Sequence, residues 1–215
     1  MQQESAIKTN IQIWDDLHRQ SQWGTCPEPA VARWAMRRWG GQDKDAKGMP
    51  RILEVGCGTG AQAIWLGHHG FIVDACDASQ EAIERAHLAV DRAGINHSVR
   101  LYKAESPHLI GYGVAPGTYD GVVDVCCLQH VADIDNALKE IHELLKTGGQ
   151  LLSIIASDEH SVDVKHGIEG ATFHRLPLWE MYNHFTTLFS HINVETMSHT
   201  DNGKNISHWI VQATK

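Results

Sequence analysis

Leu53-Glu54-Val55-Gly56-Cys57-Gly58-Thr59-Gly60-Ala61 is the stretch that decides the fold: an apolar run enters a turn with three glycines, and residues of helical period follow. Such a passage predicts a strand, a tight turn and a helix in direct succession. Lacking side chains, Gly56, Gly58 and Gly60 let the backbone turn sharply and let a ligand approach the amides at the helix N-terminus. That geometry suits an adenosine-bearing cofactor. Gly56, Gly58 and Ala61 also satisfy the dinucleotide pattern G-x-G-x-x-G/A, so the turn by itself leaves the cofactor open.

Two carboxylates narrow the choice. Asp77 ends the second predicted strand, 17 residues after Gly60, where it can accept both hydrogen bonds of a ribose diol; nucleoside and dinucleotide cofactors share that need. Capping of the next helix, signalled by Ser79 and Glu81, is the alternative role for it. Glu54 lies two residues before the first glycine. A carboxylate there repels a pyrophosphate but suits the cationic amino-acid part of S-adenosylmethionine, through backbone groups or water. Charge sign favours the sulfonium cofactor; a surface carboxylate on an edge strand is the alternative.

Outward from this turn, short β-branched runs alternate with helical stretches, the pattern of βαβ units around a parallel sheet. Strands are expected at Arg51 to Cys57, Phe71 to Asp77, Val99 to Glu105, Tyr119 to Leu128 and Gln150 to Ser157. A helix is expected near Pro177 to Ser190, then two runs, His191 to His199 and Ile206 to Thr214, joined by Asp201-Asn202-Gly203-Lys204. Those turn residues predict a hairpin and hence an antiparallel strand near the sheet edge. Upstream, Ile11, Trp14 and Leu17 recur at helical spacing, and Pro27-Glu28-Pro29 opens a second helical stretch. Residues 1–48 are therefore expected to be a helical appendage or lid, and residues 49–215 the main domain.

Composition sets the outer bounds. The 215 residues carry 18 basic against 26 acidic side chains, a formal charge of -8, and no basic run longer than Arg37-Arg38, so nucleic acid is not an expected partner. No apolar run is long enough to span a bilayer, and the first ten residues lack a signal-peptide pattern, so no membrane partner and a cytoplasmic location are expected. Five cysteines are odd in number and four lie in apolar runs, which reads as reduced thiols. Fifteen histidines form no H-E-x-x-H and the cysteines no C-x-x-C pairing, so no metal is expected.

Taken together, Glu54 through Gly60, Asp77-Ala78-Ser79, Ala104-Glu105 and Tyr119-Asp120 resemble the ordered motifs of class I S-adenosylmethionine-dependent methyltransferases. Cys127-Leu128-Gln129-His130-Val131 is similar to the stretch ending the fourth strand in the ubiquinone and menaquinone branch. The resemblance covers roughly Arg51 to the C-terminus. It implies an α/β, Rossmann-like sheet of seven strands in the order 3-2-1-4-5-7-6, with strand 7 antiparallel and helices on both faces. It further implies a donor site of Glu54, Gly56, Cys57, Gly58, Gly60, Asp77 and Ala78. By the same resemblance Glu105 and Ser106 lie near the adenine, Cys126 near the sulfonium methyl, and His130 is the candidate base. The implied reaction is methyl transfer from S-adenosylmethionine to a small-molecule acceptor, leaving S-adenosylhomocysteine.

Several positions keep a second role open. Glu105 and Ser106 serve equally as helix caps, and His130 equally as a packing residue. Cys126 and Cys127, with Cys26, are candidates for a soft-ligand thiolate cluster or for small apolar fillers. Trp14, Trp23, Trp34 and Trp39 suit either an acceptor pocket or a core. Residues 158–175, with His160, Asp163, His166, Glu169 and His174, read as a metal cluster or a lid. Asp124-Val125-Cys126-Cys127 lacks the prolines of nucleobase-amine and glutamine-amide methyltransferases, which argues against those acceptors. A nicotinamide-dependent oxidoreductase and a non-catalytic S-adenosylmethionine-binding protein are the competing functions.

Overall fold

Seven strands form one sheet in the order β3-β2-β1-β4-β5-β7-β6. The strands are β1 (Arg51–Val55), β2 (Ile72–Asp77), β3 (Val99–Lys103), β4 (Tyr119–Val125), β5 (Leu145–Ala156), β6 (Ser190–Asp201) and β7 (Lys204–Thr214). β1 to β5 pair in parallel, whereas β7 runs antiparallel to both β5 and β6. In this computed structural model the described residues are 9–20, 26–40, 48–106, 108–113, 115–159, 171–201 and 204–215. They include six α-helices: α1 (Asn10–Gln20), α2 (Pro29–Trp39), α3 (Ala61–His68), α4 (Gln80–Ala93), α5 (Ile134–Leu144) and α6 (Leu178–Thr186).

Alternation along the strands builds a core on each face. Ile52, Val73, Val123 and Leu152 point to one side, where Trp34, Leu66 and Ile83 of α2, α3 and α4 cover them. Leu53, Val122, Leu151 and Val211 point to the other, beneath Leu138 and Ile141 of α5 and Phe185 of α6. The helix ends follow local chemistry. Ser79 caps α4 by accepting the Ala82 N–H at 3.1 Å, and Asp133 caps α5 by accepting the Asn136 N–H at 3.0 Å. Pro29 opens α2, where its missing N–H costs nothing.

Most strand ends differ from the sequence expectation, usually by one or two residues, β1 for instance stopping at Val55, and β4, β3 and β5 show why. β4 stops at Val125 because Cys126 adopts a φ of +60° and the chain turns into a 3-10 segment, Leu128–His130. β3 stops at Lys103, after which Ala104 N–H donates to the Asp77 carbonyl. β5 starts at Leu145, with a register shift against β4 between Tyr119 and Gly121 that accommodates Gly148 at φ +76°.

Candidate functional site

The glycine turn lies where β1 meets α3, at the carboxyl edge of the sheet beside the ends of β2 and β4. Gly56, Gly58 and Gly60 all have positive φ, at 69°, 52° and 84°. At Gly56 a Cβ would stand 2.4 Å from Cys127 Cβ, so the turn and the segment after β4 are packed backbone to side chain. Asp77 braces the turn: its carboxylate accepts the Gly58 N–H at 2.9 Å through one oxygen and the Ser79 N–H at 2.9 Å through the other. An ionised carboxylate offers about four acceptor positions, so roughly two remain for a diol. The cap of α4 is Ser79, and Asp77 acts beside it.

Glu54 lies in β1 between Ala75 of β2 and Val123 of β4, 1% exposed, with neither carboxyl oxygen hydrogen-bonded. Burial pushes its pKa up to about 8, against the pull of the nearby Ala63 N–H and with Asp77 adding to the rise. A buried anion site is costly unless a cation answers it. Donor chemistry of a cationic nucleoside fits this carboxyl and a pyrophosphate does not.

The segment after β4 is shaped by Asp124. Its buried carboxylate accepts the N–H groups of Cys127 at 2.9 Å and Leu128 at 3.0 Å and the Ser153 hydroxyl at 2.5 Å. Burial pushes its pKa up to about 6 against those hydrogen bonds. His130 ends the 3-10 turn and is buried. Its Nδ1 lies 2.7 Å from the Thr172 carbonyl, an acceptor, so Nδ1 carries a proton and donates it there. In the neutral ring Nε2 then carries the lone pair, 3.4 Å from the Gln129 amide nitrogen.

Helix α1 roofs these elements. The Trp14 ring stands edge-on to His130, centroids 4.7 Å apart. Asp15 accepts from the Ser79 hydroxyl at 2.6 Å and from Glu81 N–H at 3.3 Å. His18 is buried with Nδ1 unpartnered, its Cε1 3.6 Å from where a Cβ on Gly58 would sit. Burial lowers its pKa, opposed by Asp77. Asp15 and His18 have no signal of their own in the sequence, where only the Ile11, Trp14, Leu17 period points to their helix; Asp124 stands there only as part of the Asp124 to Cys127 stretch.

The remaining expected residues fall in two groups. Cys57 is buried in the turn, Ala78 follows Asp77, and Cys126 is half-buried beside the turn with its thiol pushed up to about 12 by burial. Burial pushes the Cys127 thiol well up too, so both adjacent thiols are neutral, which suits apolar packing better than a thiolate cluster; Cys26 is exposed. Glu105 is exposed, while the Ser106 hydroxyl is buried and unpartnered. Trp34 and Trp39 pack edge-to-face in the core, whereas Trp23 lies outside the described residues. Of the histidine-rich stretch, His174 bonds the Val131 carbonyl at 3.0 Å, and His160, Asp163, His166 and Glu169 lie outside the described residues. No described helix is long and apolar enough to cross a membrane.

Residues 53–153 match the family described as methyltransferase domain. A ubiquinone biosynthesis O-methyltransferase of Caulobacter vibrioides is 34% identical over 98 residues, 46% of this chain and 37% of that protein. The chain spans only 36% to 39% of the length of the first curated relatives it matches. Among solved structures, a protein studied for conversion of a disulfide bond into a thioacetal group during echinomycin biosynthesis superposes with a TM-score of 0.74 at 17% identity. That likeness covers 96% of this chain and 92% of the other. A methyltransferase dependent on S-adenosylmethionine from Methanosarcina mazei gives 0.62 at 19% identity, covering 88% and 98%. At these identities the likeness speaks for the fold.

Proposed function

We propose that this chain, which matches a methyltransferase domain over residues 53–153, methylates a small-molecule acceptor with S-adenosylmethionine as donor and releases S-adenosylhomocysteine. Glu54 carries the proposal: a buried carboxyl without a partner under a glycine turn suits a cationic donor and opposes a dinucleotide. Asp77 holds the ribose diol with its free lone pairs, and Gly56, Cys57, Gly58 and Gly60 supply the backbone cradle. Ala78, Glu105 and Ser106 border the adenine, and Cys126 borders the reacting methyl.

When bound, the donor supplies an electrophilic methyl group whose carbon–sulfur bond breaks as the acceptor's lone pair bonds to that carbon. The chain contributes alignment and exclusion of water, the terms that carry most of such a displacement. Residues 1–48 act as the lid, with α1 closing over the turn. His130 Nε2 takes the proton of an acceptor hydroxyl, amine or thiol, while the Thr172 carbonyl holds the ring in the required tautomer.

Incubating the full chain with methyl-labelled S-adenosylmethionine and a small-molecule extract, then identifying labelled products by mass, tests this. Labelled product is expected. Tight S-adenosylhomocysteine binding with no label transfer would leave a binding protein, and NADH binding in place of S-adenosylhomocysteine would overturn the cofactor assignment.

A further inference from the structure

Away from the glycine turn, α2 borders a second concavity. Arg33 and Arg37 stand one helical turn apart, with Arg38 alongside, at the edge of α2 that meets β5, β6 and β7. Together with Trp34, Gln212 and Glu195 they line a cavity of about 200 Å³. Gln212 pairs in register with Leu152 on one side and Asn193 on the other, so the cavity lies toward the amino end of β5. Cys126, by contrast, is near Glu28 at the opposite end of α2. The two sites share no lining residue.

The chemistry of the wall is one-sided. Trp34 is 4% exposed and its indole N–H, a donor only, has no acceptor. Among the described residues neither Arg33 nor Arg37 has an ion pair or hydrogen bond. Arg38 also lies over the Trp39 ring, 5.9 Å from its centroid. Among the described residues Glu195 is the one acid of the lining, and it accepts weakly from Asn193 at 3.4 Å. Three guanidinium groups against one carboxylate make a positive spot on a chain whose formal charge is -8. Guanidinium forks match multiply charged oxygen anions, and the buried Trp34 ring behind them offers a local reporter of anything bound there.

We propose that this cavity binds a small, multiply charged oxyanion of the phosphate or phosphate-monoester class. The inference stands independently of the methyl-transfer proposal. Its volume suits such a group, being below the roughly 300 to 1,000 Å³ of drug-sized ligand pockets.

The test is an NMR titration of the ¹⁵N-labelled full chain with inorganic phosphate and, separately, glycerol phosphate, at ionic strength held constant with chloride. A saturable shift of the Trp34 indole N–H is expected, with the other tryptophans little changed. The lower half-saturation distinguishes free phosphate from an ester as the ligand. Arg33→Gln with Arg37→Gln should weaken binding at least about tenfold, the loss of one charge-assisted hydrogen bond or more. Both side chains are exposed, so thermal midpoint and S-adenosylhomocysteine affinity should not change. A linear shift, an equal response to chloride, or undiminished binding in the double variant would overturn the proposal. Tighter saturation of the same resonance by a short RNA would also overturn it, by assigning the surface to nucleic acid.

Discussion

Gly58 N–H donates to the Asp77 carboxylate at 2.9 Å, so the residue expected to grip a ribose also holds the turn proposed to cradle the donor. Asp77→Asn keeps the shape but sets an amide donor against one of the two N–H groups that Asp77 now accepts. Affinity for S-adenosylhomocysteine should fall by about 10- to 100-fold, the equivalent of one charge-assisted hydrogen bond. Calorimetry measures it, and a change under about threefold would count against both roles.

Two glycines of similar backbone conformation separate strain from clash. Gly56 and Gly148 have φ of 69° and 76°, but a Cβ at Gly56 meets Cys127 Cβ at 2.4 Å while one at Gly148 meets nothing within 4 Å. Gly148→Ala should cost about 1 kcal/mol, the left-handed penalty alone. Gly56→Ala should cost about 3 kcal/mol, with overpacking added. Urea unfolding of both variants gives the comparison, and equal losses would place the Gly56 contact in doubt.

Glu54 sets a pH dependence of defined sign. Its folded pKa of about 8 exceeds its ordinary value of 4.5, so the folded chain binds that proton more tightly than the unfolded one. Stability of the unliganded chain should therefore fall as pH rises from 4.5 toward 8, by at most about 1.4 kcal/mol per unit. Asp124 adds the same sign only up to about pH 6. His18 and His142, lowered from 6.5, act in the opposite sense and only below that value. Thermal midpoints between pH 6.5 and 8 should decline in the native sequence and flatten in Glu54→Gln. At pH 7, donor binding should release close to one proton, seen as a buffer-dependent heat; a buffer-independent heat would argue that Glu54 stays protonated.

His130→Asn separates chemistry from packing. If Nε2 accepts the proton, turnover should drop about 100-fold or more while S-adenosylhomocysteine affinity stays within about threefold. Loss of affinity and turnover together would assign the ring to packing against Trp14 instead.

At the opposite end of the strands, Asp74 is fully buried and accepts from Arg51 Nε at 2.8 Å and Tyr119 hydroxyl at 2.9 Å. Asp74→Ala would leave Arg51 without its carboxylate partner and the buried Tyr119 hydroxyl without its acceptor, and should cost about 3 to 5 kcal/mol. Donor affinity at temperatures well below unfolding should not change. Denaturant unfolding and calorimetry together check the separation.

Local chemistry made the strand, glycine turn and helix at 51 to 68 legible, because apolar period and backbone freedom are properties of consecutive residues. The same holds for the β6–β7 hairpin, written in Asp201 to Lys204, and for Asp77, whose distance from Gly60 reflects one helix and one strand. The end of β4 falls short of its apolar pattern because Cys126, Cys127 and Leu128 continue the strand period, while Asp124 bends the backbone by accepting the N–H groups of Cys127 and Leu128. No periodicity records that side-chain bond.

What the sequence by itself determined is the order of elements and the two acidic posts beside a bare backbone bend. Tertiary structure alone decided that Asp15 reaches Ser79 across 64 residues, that His18 covers Gly58, and that Arg33 and Arg37 gather around Trp34. The physical reason is range: propensity and turn chemistry act between neighbours in the chain, whereas a roof or a cavity exists only once packing has brought distant helices to one edge of the sheet.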